Sequence, residues 1–208
     1  MAPITKRAGV TPGGQGVLRI IGGTWRSRRL TFPGREGLRP TPDRVRVTLF
    51  NWLQPWLPGA ACLDLFAGSG ALGLESLSRG AGQVLLVEKD AIAASALRNN
   101  LSLLGARGAE VLQADARVFL QGPARPFDIV FLDPPYDSGL LAECCTHLAA
   151  GGWVRKEGLI YLEAASDTDL PLPAAWTLLR SKRAGQVGYY LARNDGGTDW
   201  QPPADGPV

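Results

Sequence analysis

From residue 60 onward the chain alternates short, continuous apolar runs with stretches of helical period, and this alternation restricts the fold more than any other feature. The runs ACLDLF (61–66), QVLLVE (83–88), AEVLQA (109–114), FDIVFL (127–132) and LIYLE (159–163) are apolar at most positions. A strand wetted on one side alternates polar and apolar residues, so these read as strands covered on both faces. Helical periods fill the gaps at about 71–79, 91–104, 116–121 and 140–150. Repetition of this kind builds a parallel sheet with helices on both sides, a doubly wound α/β fold. WTLLRSKRAGQVGYYLA (176–192) breaks the rhythm with two strands joined by a short turn containing Gly185. With no helix between them, these strands pair antiparallel, giving a seven-stranded, mostly parallel sheet with a terminal hairpin.

Ahead of the sheet, VLRIIGGTWRSRRLTF (17–32) reads as a small β-hairpin around Gly22-Gly23. Asp43 is placed to cap a helix running to about Leu53, with Val45, Leu49, Phe50 and Leu53 on its apolar side. Pro55 and Pro58 end it. The expected organisation is a disordered basic tail over 1–16, a hairpin-and-helix unit over 17–58, the α/β domain over 59–193 and a second disordered tail over 194–208.

The net charge of +3 conceals an asymmetry. Residues 1–46 carry ten basic side chains against Glu36 and Asp43, a net +8 that leaves −5 for the remainder. Nine of the ten are arginine, whose planar fork suits phosphates. A basic segment on a mildly acidic body suggests a polyanion binder. No apolar run is long enough to span a bilayer and the N-terminus has no apolar signal region, so a cytoplasmic setting is expected. His147 is the only histidine and the three cysteines form no CxxC pair, which disfavours a zinc site or a Ser–His or Cys–His catalytic pair. No metal is expected.

Gly68-Ser69-Gly70-Ala71-Leu72-Gly73, at the first strand-to-helix junction, matches GxGxxG. Glycines there let a ligand approach the backbone and leave a helix N-terminus open. Asp64, just before the turn, would repel a pyrophosphate but can receive a cationic amino group. Glu88 ends the second strand and can accept from both hydroxyls of a ribose. Asp115 follows the third strand and can accept from an adenine amino group, or simply cap the next helix. A ligand with an amino acid end, a ribose and an adenine satisfies all three, as S-adenosylmethionine does. NAD would also use Glu88 but leaves Asp64 unexplained.

The fourth strand ends in Asp133-Pro134-Pro135-Tyr136. Proline carries no backbone N–H, so the turn offers carbonyl oxygens and one carboxylate. A site built of acceptors suits an exocyclic NH2, and Tyr136 adds a face on which a planar base can stack. Asp133 accepting one N–H and the Pro134 carbonyl the other would aim the nitrogen lone pair at a methyl donor. Positioning then supplies much of the rate, and the carboxylate stabilises the charge that develops on nitrogen.

LDLFAGSG and DPPY resemble the class I S-adenosylmethionine-dependent methyltransferases that act on exocyclic amines. RIIGGTWRSRRL (19–30), RPTPDRVRVTLFNWL (39–53) and GQVGYYLA near the end look like the bacterial family that methylates guanine N2 in 16S rRNA of the small ribosomal subunit. The resemblance covers about 17–193 and departs at Val47, where the family pattern has an acidic residue. It implies a Rossmann-like fold and N2 methylation of guanine 966. It also implies a 16S rRNA substrate presented in the subunit or a late assembly intermediate, with the enzyme expected to be a monomer. Family roles would put cofactor binding on Asp64, Phe66, Ala67, Gly68, Ser69, Gly70, Glu88, Lys89, Asp115, Ala116 and Asp133. Amine positioning would fall to Asp133, Pro134 and Tyr136. Arg26, Arg28, Arg29, Arg39, Thr41 and Arg44, with Tyr136, are the expected RNA contacts, though Arg39-Pro40-Thr41 could instead close over the cofactor. A DNA adenine-N6 methyltransferase, a nicotinamide-dependent oxidoreductase and a non-catalytic RNA-binding assembly protein are the competing readings.

Overall fold

The computed structural model describes residues 14–34, 41–135 and 138–196. Arg39, Tyr136 and the expected tail residues 1–13 and 197–208 lie outside the described residues. Strands β1 (Gln15–Arg19) and β2 (Arg29–Pro33) pair antiparallel, followed by helix α1 (Asp43–Leu53). The alternation then runs β3 (Ala61–Asp64), α2 (Gly73–Ser78), β4 (Gln83–Glu88), α3 (Ala91–Leu104), β5 (Ala109–Gln113), α4 (Ala116–Leu120), β6 (Phe127–Leu132) and α5 (Leu140–Ala150). Strands β7 (Val154–Ala165), β8 (Trp176–Ala184) and β9 (Val187–Asn194) complete it.

The large sheet has seven strands in the order β5-β4-β3-β6-β7-β9-β8. All pairings from β5 through β7 are parallel, and β9 runs antiparallel to both its neighbours. The order reverses beside β3, so a crevice opens beyond the carboxyl ends of β3 and β6. Because both faces are covered, the side chains of each strand divide between two cores. Cys62, Leu86, Ile129, Phe131 and Tyr161 pack with α1, α2, α3 and the N-terminal hairpin. Leu63, Leu85, Val130, Leu132 and Ile160 pack with α4 and α5. Among the described residues no helix is long and apolar enough to cross a membrane.

Three local expectations change. The strands of the N-terminal hairpin are joined by residues 20–28 rather than by a tight Gly-Gly turn. That longer connection rests on α2: Ser78 Oγ donates to the Gly22 carbonyl at 2.6 Å and accepts from Trp25 N–H at 2.9 Å. Gly23 is required there, since its φ is +74° and any Cβ would land on the Ser78 carbonyl. Asp43 is the first residue of α1 rather than its cap; Pro42 holds the cap position, and the Asp43 carboxylate turns to Arg19 at 2.9 Å and Arg46 at 2.6 Å. At the ends, β1 starts at Gln15, inside the expected tail. Asn194 closes β9, where its side-chain amide donates to the Val154 carbonyl at 3.0 Å.

Candidate active site

Strands β3, β4, β6 and β7 are parallel and end at one edge of the sheet. Each brings a carboxylate there: Asp64, Glu88, Asp133 and Glu163. Side chains alternate along a strand, so all four lie on the face carrying Cys62, Leu86, Phe131 and Tyr161.

Asp64, the last residue of β3, is buried and accepts the Gly73 N–H at 2.9 Å. Burial, and then the charge of Glu88, push its carboxyl up to about 7. A carboxylate held this way favours any cation that arrives. Glu88 accepts the N–H of Gly68 with one oxygen and that of Asp90 with the other, each at 2.8 Å, which ties the glycine turn to the end of β4. A carboxylate oxygen has a second lone pair, so both remain able to accept hydroxyls.

In the turn, Ala67 and Ser69 are buried and Phe66 is half-buried. Gly70 has φ +81°, and a Cβ on it would fall 2.7 Å from the side chains of Leu74 and Leu97. No side chain fits at Gly70, where the turn packs directly on the core. Lys89 is exposed beyond Glu88. Asp115 caps α4 through the Arg117 N–H at 2.9 Å and meets the Arg117 side chain at 3.1 Å. That arginine holds the Asp115 carboxyl below the usual range. Ala116 is buried behind it.

Asp133 follows β6 directly and is half-buried. Its carboxyl is raised well above the ordinary value by burial, then by the negative charges of Glu163 and Asp64. The hydroxyl of Thr41 donates to it at 3.4 Å. Pro134 is buried and Pro135 exposed, and the Ser138 hydroxyl donates to the Pro135 carbonyl at 2.5 Å. A cavity of about 200 Å³ opens beside the turn, bordered by Pro134, Pro135, Leu141, Glu163 and Pro171. A larger one of about 350 Å³, bordered by Trp56, Asp128 and Lys156, lies at the opposite edge of the sheet, away from the four acids.

Arg26, Arg28 and Arg29 are exposed on the hairpin side and Arg44 is exposed on α1. Thr41 is not on that surface: it is buried, with its hydroxyl toward Asp133. Three residues that the sequence reading did not assign join the arrangement. Arg46 is 1% exposed and donates to the carbonyls of Thr41 at 3.2 Å and Arg19 at 2.9 Å. It also lies 3.6 Å from Glu75, a fully buried carboxylate on α2 that accepts the N–H groups of Ile21 and Gly22 at 2.8 Å each. Glu163 is the third, and its signal was available: it is an acid at the end of an apolar strand, as Glu88 is. Arg46 and Glu75 carried no such signal, because charged residues on helices ordinarily face water.

The arrangement therefore combines a glycine turn with two buried acids and, beside it, a turn that opens with a carboxylate and continues with two residues lacking N–H. The first half suits a cationic, hydroxyl-bearing ligand and the second an amino group on a planar base. The family of the chain follows from comparison with known proteins. The family described as conserved hypothetical protein 95 matches residues 18–193. Ribosomal RNA small subunit methyltransferase D of Escherichia coli is 50% identical over 183 residues, which cover 88% of this chain and 92% of that one. The solved structure of the Escherichia coli protein yhhF is 49% identical, with a TM-score of 0.80 over 86% of this chain and 99% of that one. A Thermus thermophilus 16S rRNA N2 G1207 methyltransferase, solved with AdoMet and guanosine, shares the fold. It is 24% identical, with a TM-score of 0.66 over 86% of this chain and 50% of that one. With a match across almost all of the described strands and helices, the chain belongs to the conserved hypothetical protein 95 family, that of ribosomal RNA small subunit methyltransferase D, with the class I methyltransferase fold.

Proposed function

We propose that the protein is an S-adenosylmethionine-dependent rRNA methyltransferase that modifies the exocyclic N2 amine of one guanine, guanine 966 by family resemblance, in 16S rRNA of the small subunit. The observation that carries this reading is Asp133: a carboxylate at the end of β6, followed by two residues without N–H, on the same edge as Asp64 and Glu88. Fifty per cent identity to ribosomal RNA small subunit methyltransferase D supports the substrate class.

The residues fit the cofactor. Asp64, with its carboxyl raised, would hold the ammonium; Glu88 would accept the ribose hydroxyls; the Gly68–Gly70 backbone would border the ligand; Asp115 would take the adenine amino group with the oxygen lone pairs its cap leaves open. S-adenosylmethionine supplies an electrophilic methyl group on a sulfonium. Asp133 accepts one N–H of the guanine amine and the Pro134 carbonyl the other, so that the nitrogen lone pair points along the line of attack. As the nitrogen gains positive charge, the Asp133 carboxylate stabilises it and takes up the proton. Tyr136, which follows Pro135, would stack on the base, which must leave its helix to reach this edge. Arg26, Arg28, Arg29, Arg39 and Arg44 would contact phosphates. The enzyme would act as a cytoplasmic monomer on the subunit or a late assembly intermediate.

The test incubates the protein with methyl-labelled S-adenosylmethionine and small subunits lacking the modification, naked 16S rRNA or genomic DNA, and identifies the labelled nucleoside by mass spectrometry. N2-methylguanosine from ribosomal material alone is expected. N6-methyladenine in DNA would keep the chemistry of Asp133 and discard the substrate. Absence of any transfer, with rRNA binding retained, would favour a non-catalytic assembly protein.

A further inference from the structure

The row of residues containing Asp133 continues past Glu163. Glu163 stands one residue beyond Leu162, the partner of Leu132, and therefore level with Asp133. On the other side Glu163 pairs with Tyr189 of β9, and Tyr189 pairs with Lys182 of β8. Asp133, Glu163, Tyr189 and Lys182 thus form one line across four neighbouring strands. Tyr189 belongs to the same core as Tyr161 and Leu191, which puts Lys182 and Arg180, the partner of Leu191, on the face of the four acids. At a strand spacing of about 4.8 Å, the backbone of Lys182 is about 14 Å from that of Asp133.

The line changes sign along its length. At one end are the carboxylates of Asp133 and Glu163; at the other is an edge strand with Arg180, Lys182 and Arg183, all exposed. Between them the Tyr189 ring stacks on Trp52 of α1, with centroids 5.6 Å apart and planes at 28°. Some surface arginines have carboxylate partners, as Arg117 has in Asp115 and Arg193 in Asp195, whereas those assigned to RNA on the N-terminal unit, Arg26, Arg28, Arg29 and Arg44, have none among the described residues. Among the described residues Arg180, Lys182 and Arg183 have no carboxylate within the 4.0 Å of an ion pair. Cations on an edge strand also discourage sheet-to-sheet pairing, but that purpose is served anywhere along the strand. Here the half of β8 remote from the acids, 176–179, has none, and all three cluster in the half that reaches the ligand edge.

We propose that Arg180 and Lys182 form a second RNA-backbone contact, on the opposite side of Asp133 from the cofactor turn. They would hold the phosphates of the single-stranded segment that flanks the extruded base. This rests on the rRNA reading above and adds to it. A polyanion entering a site lined by four carboxylates is repelled unless its neighbouring phosphates find cations, and β8 supplies them within reach of the next nucleotide. The N-terminal arginines grip the RNA on one side of the site and β8 on the other.

The experiment compares wild type, the double variant R180Q/K182Q, and K156A, whose lysine lies on the opposite edge of the sheet. Affinity for 16S rRNA is measured from low to moderate salt, together with S-adenosylmethionine affinity, thermal melting and turnover at saturating RNA. The double variant should bind rRNA about tenfold more weakly, with the slope of log affinity against log salt reduced by about 1.4, the value for two phosphate contacts on a single strand. Its melting, cofactor affinity and saturated turnover should match wild type, and K156A should match wild type throughout. An unchanged slope in the double variant, or an equal change in K156A, overturns the contact. Wild type that binds rRNA but transfers no methyl group overturns the enzymatic reading and leaves the β8 contact standing. Wild type that binds neither 16S rRNA nor small subunits overturns both.

Discussion

Thr41 and Asp133 are 92 residues apart in sequence, yet the hydroxyl of the first donates to the carboxylate of the second across 3.4 Å. Thr41 is itself held by Arg46, which donates to its carbonyl at 3.2 Å. The carboxylate assigned to the target amine is thereby oriented from the N-terminal unit, which also carries exposed arginines assigned to RNA. Thr41 acts through Asp133 and is a positioning residue. The bond is long, so its loss should be modest: Thr41→Val should lower kcat up to about tenfold, near 1.4 kcal/mol. KM for S-adenosylmethionine should stay unchanged, and Thr41→Ser should restore kcat. Equal losses in kcat for Ser and Val, or a change confined to the cofactor KM, would remove the role.

Replacing Asp133 itself should separate chemistry from cofactor binding. Asp133→Ala removes the acceptor, and Asp133→Asn keeps the shape but cannot take the proton. Both should lose at least about a hundredfold in turnover, the lower end of the range for a positioned proton acceptor. S-adenosylmethionine affinity, measured by calorimetry, should change no more than a few-fold. Full activity in either variant excludes amine positioning by this residue.

Arg46 makes a stability prediction. It is buried against Glu75, and besides that ion pair it makes hydrogen bonds to Thr41, Arg19 and Asp43. Removing one partner of a buried pair leaves the other charge without full compensation, which costs about 3–5 kcal/mol. Glu75 keeps Arg79 at 2.6 Å and two backbone N–H groups, so the loss should fall at the low end. Arg46→Met should lower the unfolding free energy by about 3 kcal/mol, read as a lower urea midpoint with little change in slope. An unfolding free energy within about 0.5 kcal/mol of wild type, the range of an ordinary surface substitution, would mean that the network is not structural.

These residues also mark where sequence was and was not informative. The strands were readable because burial on both faces forces continuous apolar runs, and the edge acids because a carboxylate ending such a run is out of place. Asp64, Glu88 and Asp133 were found in this way. Arg46 and Glu75 were not, since each is an ordinary helix residue until the hairpin is laid across α2 and water is excluded. Thr41 in sequence suits an RNA contact or a segment that closes over the cofactor; that its side chain turns toward Asp133 follows only from where α1 docks. Asp115 kept two readings in sequence and shows its capping one, which engages Arg117 without excluding a ligand from its remaining lone pairs.

Asp64 makes the pH prediction. Its carboxyl stands at about 7 against an ordinary 3.8, first through burial and then through Glu88. The folded protein therefore holds a proton that the unfolded chain gives up near 3.8. Asp64 accordingly makes stability fall as pH rises from about 4 to about 7, and level off above. A ligand ammonium reverses the balance by favouring the charged carboxylate, so its arrival expels the proton. Affinity for S-adenosylmethionine should then rise with pH up to about 7 and flatten beyond it. Calorimetry near pH 6 in two buffers of different ionisation heat should register release approaching one proton per cofactor bound, and near pH 8 almost none. Asp133, also raised, is not assigned to the ammonium, so Asp64→Asn should abolish most of the release and bind more weakly at high pH. Proton uptake at the lower pH, or release unaltered in the Asn variant, would detach Asp64 from the cofactor's amino group.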